Sequence, residues 1–423
     1  MAFDVPSGYR AFKETEVAAY PAAVPAVAAR LGGKPADWTV REVGDGNLNL
    51  VFIIEGPAGG VVLKQALPYV RLVGESWPLT LRRAFFEHEA LLTQRKVAPA
   101  HVPEIFHFDE TLALTVMAYL KPHIILRKGL IRGTVYPKLA DDMASFMAET
   151  LFATSDLGQP AATKKKHMAL FCDNIELCRI TEDLVFTDPW REATLNRWTS
   201  PQLDAVAAAA RADGAWKRAA QEYKLKFLSE AQALIHGDLH SGSIMVTEAE
   251  TFAIDPEFAF YGPIGFDVGA LLGNLWLAYF AQSGHEPRPG ARDEYRDWIL
   301  STAESVWLLF DQRFRGLWNT RHAGDALTPA LFPDRTTLRK VQDTYMHHLF
   351  ADSLGFAGCK MTRRILGLAH VEDLESITAP DLRAVCEKRA LMLARSLMVD
   401  GQGYTDIKAV SEAARALQRE GVT

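Results

Sequence analysis

The stretch Leu234-Ile-His-Gly-Asp-Leu-His-Ser-Gly-Ser-Ile-Met-Val246 places two short apolar runs on either side of a polar loop that carries one aspartate, Asp238. Such an aspartate can accept a proton from an attacking hydroxyl group and can align that hydroxyl group. Ile254-Asp255-Pro256-Glu257 follows, and two carboxylates two residues apart are hard oxygen ligands of the kind that Mg²⁺ prefers. The two segments predict an aligning loop followed by a metal-binding loop.

His236 and His240 allow a second interpretation of the first loop, because they lie four residues apart around an acidic residue. This spacing can form a zinc site only on a helix, where both rings face one metal. Gly237 and Ser241-Gly242 are poor helix residues. The sequence therefore favours a structural role for both histidines, in hydrogen bonds to the loop backbone.

Upstream, Gly44-Asp-Gly46-Asn-Leu-Asn49 forms a glycine-rich turn between two predicted strands. Glycines allow backbone N–H groups to approach phosphate oxygens closely. In the kinase-type glycine loop a third glycine would stand where this chain has Asn49. In isolation the segment is more typical of a plain hairpin turn.

Lys64 lies in an otherwise apolar strand and needs either solvent or a carboxylate partner. The next helix supplies Glu87 and Glu89. A Lys–Glu pair that holds a lysine over nucleotide phosphates is a recurring part of phosphoryl-transfer enzymes. The alternative is an edge-strand lysine that faces water.

The order of these features indicates the fold. A glycine-rich hairpin, a strand lysine, a helix glutamate, a loop aspartate and a metal-binding aspartate follow one another as in protein-kinase-like proteins. Asp255 and Asp267 leave no room between them for an activation loop, which favours a small-molecule kinase. We expect an α+β bilobal fold, with an antiparallel-sheet N-lobe (1–120) and a mainly helical C-lobe (121–423). Strands are predicted at 38–43, 48–55, 61–64, 104–108 and 112–119, and helices at 79–96, 141–154, 201–214, 216–233, 293–314, 338–356 and 381–398.

Composition excludes several classes of protein. The 423 residues carry 46 Lys and Arg against 52 Asp and Glu, an acidic balance that argues against a general nucleic-acid binder. The four cysteines include no C-x-x-C pair, and residues 1–20 contain no apolar segment of the secretory type. The most apolar stretch, 270–281, is expected to be too short to span a bilayer. We expect a cytoplasmic protein with no membrane or nucleic-acid partner.

Six longer strings carry a resemblance to a known family. The strings are Gly44-Asp-Gly-Asn-Leu-Asn49, Val73-Gly-Glu-Ser-Trp-Pro-Leu79, His236-Gly-Asp-Leu-His-Ser-Gly-Ser-Ile244, Asp255-Pro-Glu-Phe-Ala-Phe-Tyr-Gly-Pro-Ile-Gly-Phe-Asp267, Gly355-Phe-Ala-Gly-Cys359 and Arg363-Arg-Ile-Leu-Gly-Leu-Ala-His370. They resemble the methylthioribose kinase family, in the aminoglycoside-phosphotransferase-like branch of the kinase fold, and the resemblance covers about residues 40–375. It implies Mg²⁺- and ATP-dependent phosphorylation of the anomeric hydroxyl group of 5-methylthio-D-ribose, a step of methionine salvage, by a homodimer.

The resemblance also implies roles for individual residues. Asp238 is the expected catalytic residue, and Asp255 and Glu257 are the expected Mg²⁺ ligands. The chain departs from the family at Ala118-Tyr119 in the adenine hinge, where an acidic pair is usual. The implied nucleotide contacts are Gly44, Gly46, Asn49, Lys64, Glu87, Ala118, Tyr119, Leu120, Asp255, Pro256 and Glu257, and the implied substrate contacts are Asp238, Arg363 and Arg364.

Alternatives remain at several of these positions. Arg363 and Arg364 could be two helix-surface arginines, since adjacent helical residues do not face the same way. Trp77 could cap the site or be a buried structural residue. The other functions considered are a choline, aminoglycoside or fructosamine kinase and a nucleotide-binding pseudokinase. The intact Lys64, Asp238 and Asp255 argue against the pseudokinase.

Overall fold

A five-stranded antiparallel sheet dominates the N-terminal part of the chain, in the strand order β1-β2-β3-β7-β6. The computed structural model describes residues 5–44, 48–71, 74–332 and 334–419, apart from the side chain of residue 75. All five strands and the helix between the third and fourth of them agree with the sequence-based prediction. The elements are β1 (Thr39–Glu42), β2 (Asn49–Gly56), β3 (Gly59–Ala66), α3 (Arg83–Val97), β6 (Ile105–Asp109) and β7 (Leu114–Ala118).

Further elements of this part were not predicted. Helix α2 packs against the sheet through Val27 and Leu31, which join a buried cluster with Phe52 and Val61. A short hairpin precedes α3, and its second strand carries Trp77. These elements are α1 (Ala19–Ala23), α2 (Pro25–Leu31), β4 (Tyr69–Val70) and β5 (Gly74–Pro78).

The rest of the chain is mainly helical, as predicted. The predicted boundary at residue 120 falls between β7 and the short strand β8, which pairs with β10 of the C-terminal part. The division into 1–120 and 121–423 stays a prediction. The elements are β8 (Ile124–Ile125), α4 (Leu126–Arg132), α5 (Leu139–Thr154), α6 (Ala161–Phe171), α7 (Ile175–Leu184), α8 (Asp204–Ala212), α9 (Gly214–Ser229), β9 (Ala233–Ile235), β10 (Ile244–Val246), β11 (Thr251–Ala253), β12 (Phe260–Gly262), α10 (Ile264–His285), α11 (Asp293–Arg321), α12 (Arg335–Leu366), α13 (Glu372–Glu375), α14 (Pro380–Val399) and α15 (Ile407–Arg419).

Helix α10 corrects the expectation for the apolar stretch at 270–281. The helix has 22 residues, so by length and composition it could cross a membrane. However, its apolar segment is wholly buried inside the protein, and Trp276 and Phe280 have no exposed surface. Periodicity fails here because a helix that is buried on all sides has no polar face. Helix α10 is therefore a central core helix.

Two glycines let α10 and α12 approach each other closely. A Cβ atom at Gly269 would lie 2.4 Å from the carbonyl oxygen of Ser353, and one at Gly273 would lie 3.0 Å from that of Ala357. This close contact fixes the position of the C-terminal half of α12 relative to the loop that precedes α10.

Short strands bring the two polar loops together. Strand β9 pairs with β12, and β10 pairs with β11. The loop of Asp238 joins β9 to β10, and the loop of Asp255 joins β11 to β12. Because these strands are paired antiparallel, both loops leave at adjacent ends.

Candidate active site

The loop between β9 and β10 is held by the start of α10. The backbone N–H groups of His236 and Gly237 donate to the two carboxylate oxygens of Asp267, at 2.6 and 3.0 Å. Gly237 has φ +82°, and a Cβ atom there would lie 2.1 Å from the carbonyl oxygen of Phe258. A side chain at this position is thus excluded both by the backbone conformation and by the neighbouring loop.

The two histidines of this loop make internal hydrogen bonds. His236 Nε2 lies 2.9 Å from the carbonyl oxygen of Ile254, so Nε2 carries the proton and donates it. His240 Nδ1 accepts from the N–H of Gly242 at 2.9 Å, which leaves the His240 Nε2–H to donate to Asp238 Oδ2 at 3.2 Å. Burial lowers the pKa of His240 to about 3, so its ring is neutral. The described residues contain no group of three or more side chains arranged to hold a metal, and the hydrogen bonds agree with the structural role expected for both rings.

Asp238 receives a second donor from a residue that the sequence analysis missed. Lys360 Nζ lies 2.8 Å from Asp238 Oδ1. Burial by itself would raise the pKa of Asp238, but Lys360 and His240 hold this pKa well below its usual range. The carboxylate is therefore ionised, and each oxygen still has a lone pair available for a ligand hydroxyl group.

The second charged group of the site is Lys64, which lies among three carboxylates. Its Nζ atom is 2.7 Å from Glu87 Oε1 and 4.0 Å from Glu257 Oε2, and it also pairs with Asp255. Burial would lower the pKa of Lys64, yet the carboxylates raise it above its ordinary value. Burial raises the pKa of Glu87, whereas the attraction of Lys64 lowers it. The predicted Lys64–Glu87 pair is present, and Lys64 does not face bulk water.

Glu257 is tied to a second cation, Arg83, which the sequence analysis also missed. Arg83 Nε donates to Glu257 Oε1 at 2.5 Å, and Asn49 Nδ2 donates to Oε2 at 3.0 Å. The Arg83 side chain has no exposed surface, and Arg83 also donates to the carbonyl oxygen of Leu48 at 2.9 Å. This network joins β2, α3 and the loop after β11.

The donor set around Asp255 fits a hard cation. Asp255 has φ +68° and leaves 48% of its side-chain surface open, whereas Glu257 leaves 3% open. Oxygen-only ligands next to surplus negative charge are what Mg²⁺ requires. Asp255 is the better placed of the two, because both Glu257 oxygens already accept hydrogen bonds. The assignment of both as metal ligands stays a prediction.

Arg363 and Arg364 lie in the last turn of α12, and both line the same cavity as Asp238. Arg364 is 6% exposed, so the alternative of two surface arginines is wrong. Among the described residues, Nε and Nη1 of Arg363 and Nε and Nη2 of Arg364 are buried with no hydrogen-bond partner. Unpaired buried guanidinium donors are costly. The substrate role of both arginines stays a prediction.

One cavity of about 480 Å³ connects these groups. Its lining includes two charged groups, Lys64 with Asp255 (the Lys64 end) and Asp238 with the arginine pair (the Asp238 end), and Trp77 also lines it. A volume of this size suits a small-molecule ligand. Residues that line it include Lys64, Trp77, Arg127, Asp238, Asp255 and Arg363.

Some predicted contacts lie elsewhere. Gly44, Ala118, Tyr119 and Leu120 do not line this cavity, and Gly46 is outside the described residues. The N–H of Ala118 donates to the backbone carbonyl oxygen of Glu104 at 2.8 Å, and that of Tyr119 donates to the carbonyl oxygen of Gly60 at 3.3 Å. Pro256 lies in the chain between the two acidic residues and is buried. The nucleotide roles of these positions stay predictions.

A sequence signal for Lys360 was available. Lys360 stands three and four residues before Arg363 and Arg364, a spacing that places all three near one side of a helix. Arg127 has no comparable signal, because it reaches the site from α4, where its Nε lies 3.1 Å from Asp373 Oδ2.

Comparisons with known proteins show the family to which the chain belongs. The profile of the phosphotransferase enzyme family (APH) matches residues 39–304. The chain is 51% identical over 416 residues to Methylthioribose kinase 1 of Oryza sativa subsp. japonica, covering 98% of this chain and 97% of that protein. It is 46% identical over 418 residues to Methylthioribose kinase of Escherichia coli O45:K1 (strain S88 / ExPEC), covering 98% and 100%. Among solved structures, a glucosamine kinase in complex with glucosamine, ADP and inorganic phosphate matches with a TM-score of 0.47 and 13% identity, covering 90% and 86% of the two chains.

Proposed function

Because the chain belongs to the methylthioribose kinases of the phosphotransferase enzyme family, we propose that it transfers the terminal phosphoryl group of ATP to the anomeric hydroxyl group of 5-methylthio-D-ribose. The observation that carries the proposal is the full-length identity of 51% to a methylthioribose kinase. The site supports it, because one cavity joins Lys64 and Asp255 to Asp238 and the arginine pair.

The transfer requires an oriented hydroxyl group. The acceptor oxygen attacks the γ-phosphorus, a new O–P bond forms, and the bond to the β–γ bridging oxygen breaks as ADP leaves. The hydroxyl proton passes to Asp238, which is ionised and positioned by two donors. Asp238 contributes mainly by aligning the acceptor.

The nucleotide phosphates belong at the Lys64 end in this proposal. Lys64, held by Glu87, would contact phosphate oxygens. Asp255, with Glu257 behind it, would hold Mg²⁺, which neutralises charge on the β- and γ-phosphates when bound. The N–H groups of Ala118 and Tyr119 already donate to backbone carbonyl oxygens. The N–H of Leu120 and the hinge carbonyl groups would therefore form the hydrogen bonds to adenine.

The arginine pair faces the acceptor in this proposal. Its four unpartnered buried donors could bind ribose hydroxyl groups and stabilise charge on the transferring phosphoryl group. Family membership further suggests a homodimer that acts in methionine salvage in the cytoplasm. Light scattering on the purified chain would test the dimer, and a mass of one chain would contradict it.

Turnover on a panel of acceptors tests the proposed reaction. The protein is incubated with Mg-ATP and methylthioribose, choline or homoserine, and ADP release is followed. We expect rapid turnover of methylthioribose only. Turnover of choline or homoserine without turnover of methylthioribose would contradict the proposal, and nucleotide binding with no turnover would indicate a pseudokinase.

A further inference from the structure

Lys360 lies in the most deeply buried stretch of α12. Every residue from 351 to 362 is buried, and 3% of the Lys360 side chain is exposed. Its chain neighbours, Cys359 and Met361, have no exposed surface. A buried ammonium group is costly unless it is paired and hydrogen-bonded, so its partner decides its role.

That partner is Asp238. Lys360 Nζ donates to Asp238 Oδ1 at 2.8 Å, and the same nitrogen lies 4.4 Å from the centroid of the Phe266 ring. The ring face favours a cation at this distance. Since His240 donates to Asp238 Oδ2 at 3.2 Å, the carboxylate is held from two sides.

The fold brings Lys360 to this place through the close contact of two helices. Gly269 and Gly273 on α10 allow α12 to approach to the distance at which a Cβ would collide with Ser353 or Ala357. Phe266 lies one turn before Gly269 on α10 and provides the ring next to the ammonium group. Lys360 is not among the side chains that line the cavity, whereas Asp238 is.

We infer that Lys360 is a positioning residue that holds the Asp238 carboxylate in the orientation in which it aligns the acceptor hydroxyl group. Lys360 acts through Asp238, because the carboxylate lies between it and the ligand cavity. The inference rests on the proposed function for the identity of the acceptor. It requires only that Asp238 aligns some hydroxyl group.

A purely structural role predicts a different result. If the ion pair merely joined α12 to the catalytic loop, its loss would lower stability and leave the rate per folded molecule unchanged. Lys164 provides a matched control, because it is also buried in a helix and paired with an aspartate, Asp156. Lys164 does not line the active-site cavity.

The test compares Lys360→Met, Lys360→Arg and Lys164→Met with the unchanged protein. For Lys360→Met we expect kcat to fall by about 100-fold, as for loss of general acid–base alignment. KM for ATP should stay within about threefold, because the Lys64 end is unchanged. The kcat of Lys360→Arg should exceed that of Lys360→Met by at least about tenfold, since arginine restores a charged donor. Lys164→Met should keep kcat at the unchanged value while lowering the unfolding temperature.

Three results would overturn the inference. The first is a kcat of Lys360→Met within threefold of that of the unchanged protein, and the second is a loss of kcat that the fraction of unfolded protein explains. The third is a kcat of Lys360→Arg no higher than that of Lys360→Met. If Lys360→Met does not fold, Lys360→Gln keeps a donor without the charge and is measured instead, with the same expected loss. Failure of the proposed function appears separately, in the unchanged protein. In that case the same variants are measured with whichever acceptor that protein phosphorylates.

Discussion

The two ends of the cavity carry opposite surpluses of charge. At the proposed nucleotide end, the carboxylates of Glu87, Asp255 and Glu257 outnumber the cations of Lys64 and Arg83. At the proposed acceptor end the cations outnumber the carboxylates. The groups there are Arg127, Lys360, Arg363, Arg364, Asp238 and Asp373.

This difference matches what each end would bind in the proposed reaction. Surplus carboxylate attracts a divalent cation with its nucleotide, whereas surplus guanidinium attracts the anionic phosphoryl group as it arrives at the sugar. The charge pattern therefore supports the proposal that the nucleotide binds at the Lys64 end and the acceptor at the Asp238 end.

Replacing Asp238 should cause the largest effect. Asp238→Asn keeps the size of the side chain and removes the acceptor of the hydroxyl proton, so kcat should fall by at least about 100-fold. Nucleotide binding, measured by calorimetry, should persist because the Lys64 end is intact. Unchanged kcat would contradict the role of Asp238.

The arginine pair should affect the acceptor and not the nucleotide. Arg363→Ala and Arg364→Ala should each raise KM for methylthioribose by at least about tenfold, which corresponds to one lost charge-assisted hydrogen bond. KM for ATP should hardly change. A larger effect on ATP than on the sugar would reverse the assignment of the two ends. The larger of the two KM effects would identify the arginine that contacts the sugar.

The two carboxylates of the predicted metal site should differ. Asp255→Asn should weaken Mg²⁺-dependent ATP binding by about tenfold or more, since its carboxylate is the more open of the two. Glu257→Gln should weaken it less and should instead lower stability, because Arg83 loses its charged partner. Calorimetry with and without Mg²⁺ separates these outcomes, and equal effects would contradict this ranking.

Helix packing should cause the smallest effect. Gly269→Ala brings a Cβ atom against Ser353 and should cost about 1–3 kcal/mol of stability. The resulting shift of α12 should raise KM for the sugar more than KM for ATP. Gly316→Ala is the control, because that glycine is exposed on α11 with open space around it, and alanine there should stabilise by about 0.5–1 kcal/mol. Equal melting temperatures for Gly269→Ala and Gly316→Ala would contradict the close contact between α10 and α12.

The Lys64 end and the loop of Asp238 could be predicted from the sequence because their residues lie in short local motifs. The strand of Lys64, the helix of Glu87 and the loops of Asp238 and Asp255 each have a recognisable pattern, and their order indicates the fold. The sequence does not predict the role of Arg83, because a buried arginine near the start of a helix cannot be distinguished from an exposed one by local pattern. Its burial depends on a contact 174 residues away with Glu257.

The acceptor end was harder to predict because its residues come from distant helices. Asp238 and Lys360 are separated by 122 residues, and nothing local to either shows that they meet. The adjacent positions of Arg363 and Arg364 left a surface location open as an alternative to substrate binding. Both line the cavity, because they stand in the last turn of α12, next to a loop that also lines it. The apolar helix α10, which determines this geometry, was recognised only as a shorter stretch.

The phosphorus NMR spectrum of the product tests the central claim most directly. Methylthioribose and Mg-ATP are incubated with the protein, and the coupling of the new phosphorus signal to the sugar protons is measured. Phosphoryl transfer aligned by Asp238 predicts one phosphate ester coupled to the anomeric proton, formed in equal amount with ADP. Coupling to another ring proton, or ADP released with free phosphate alone, would contradict the account.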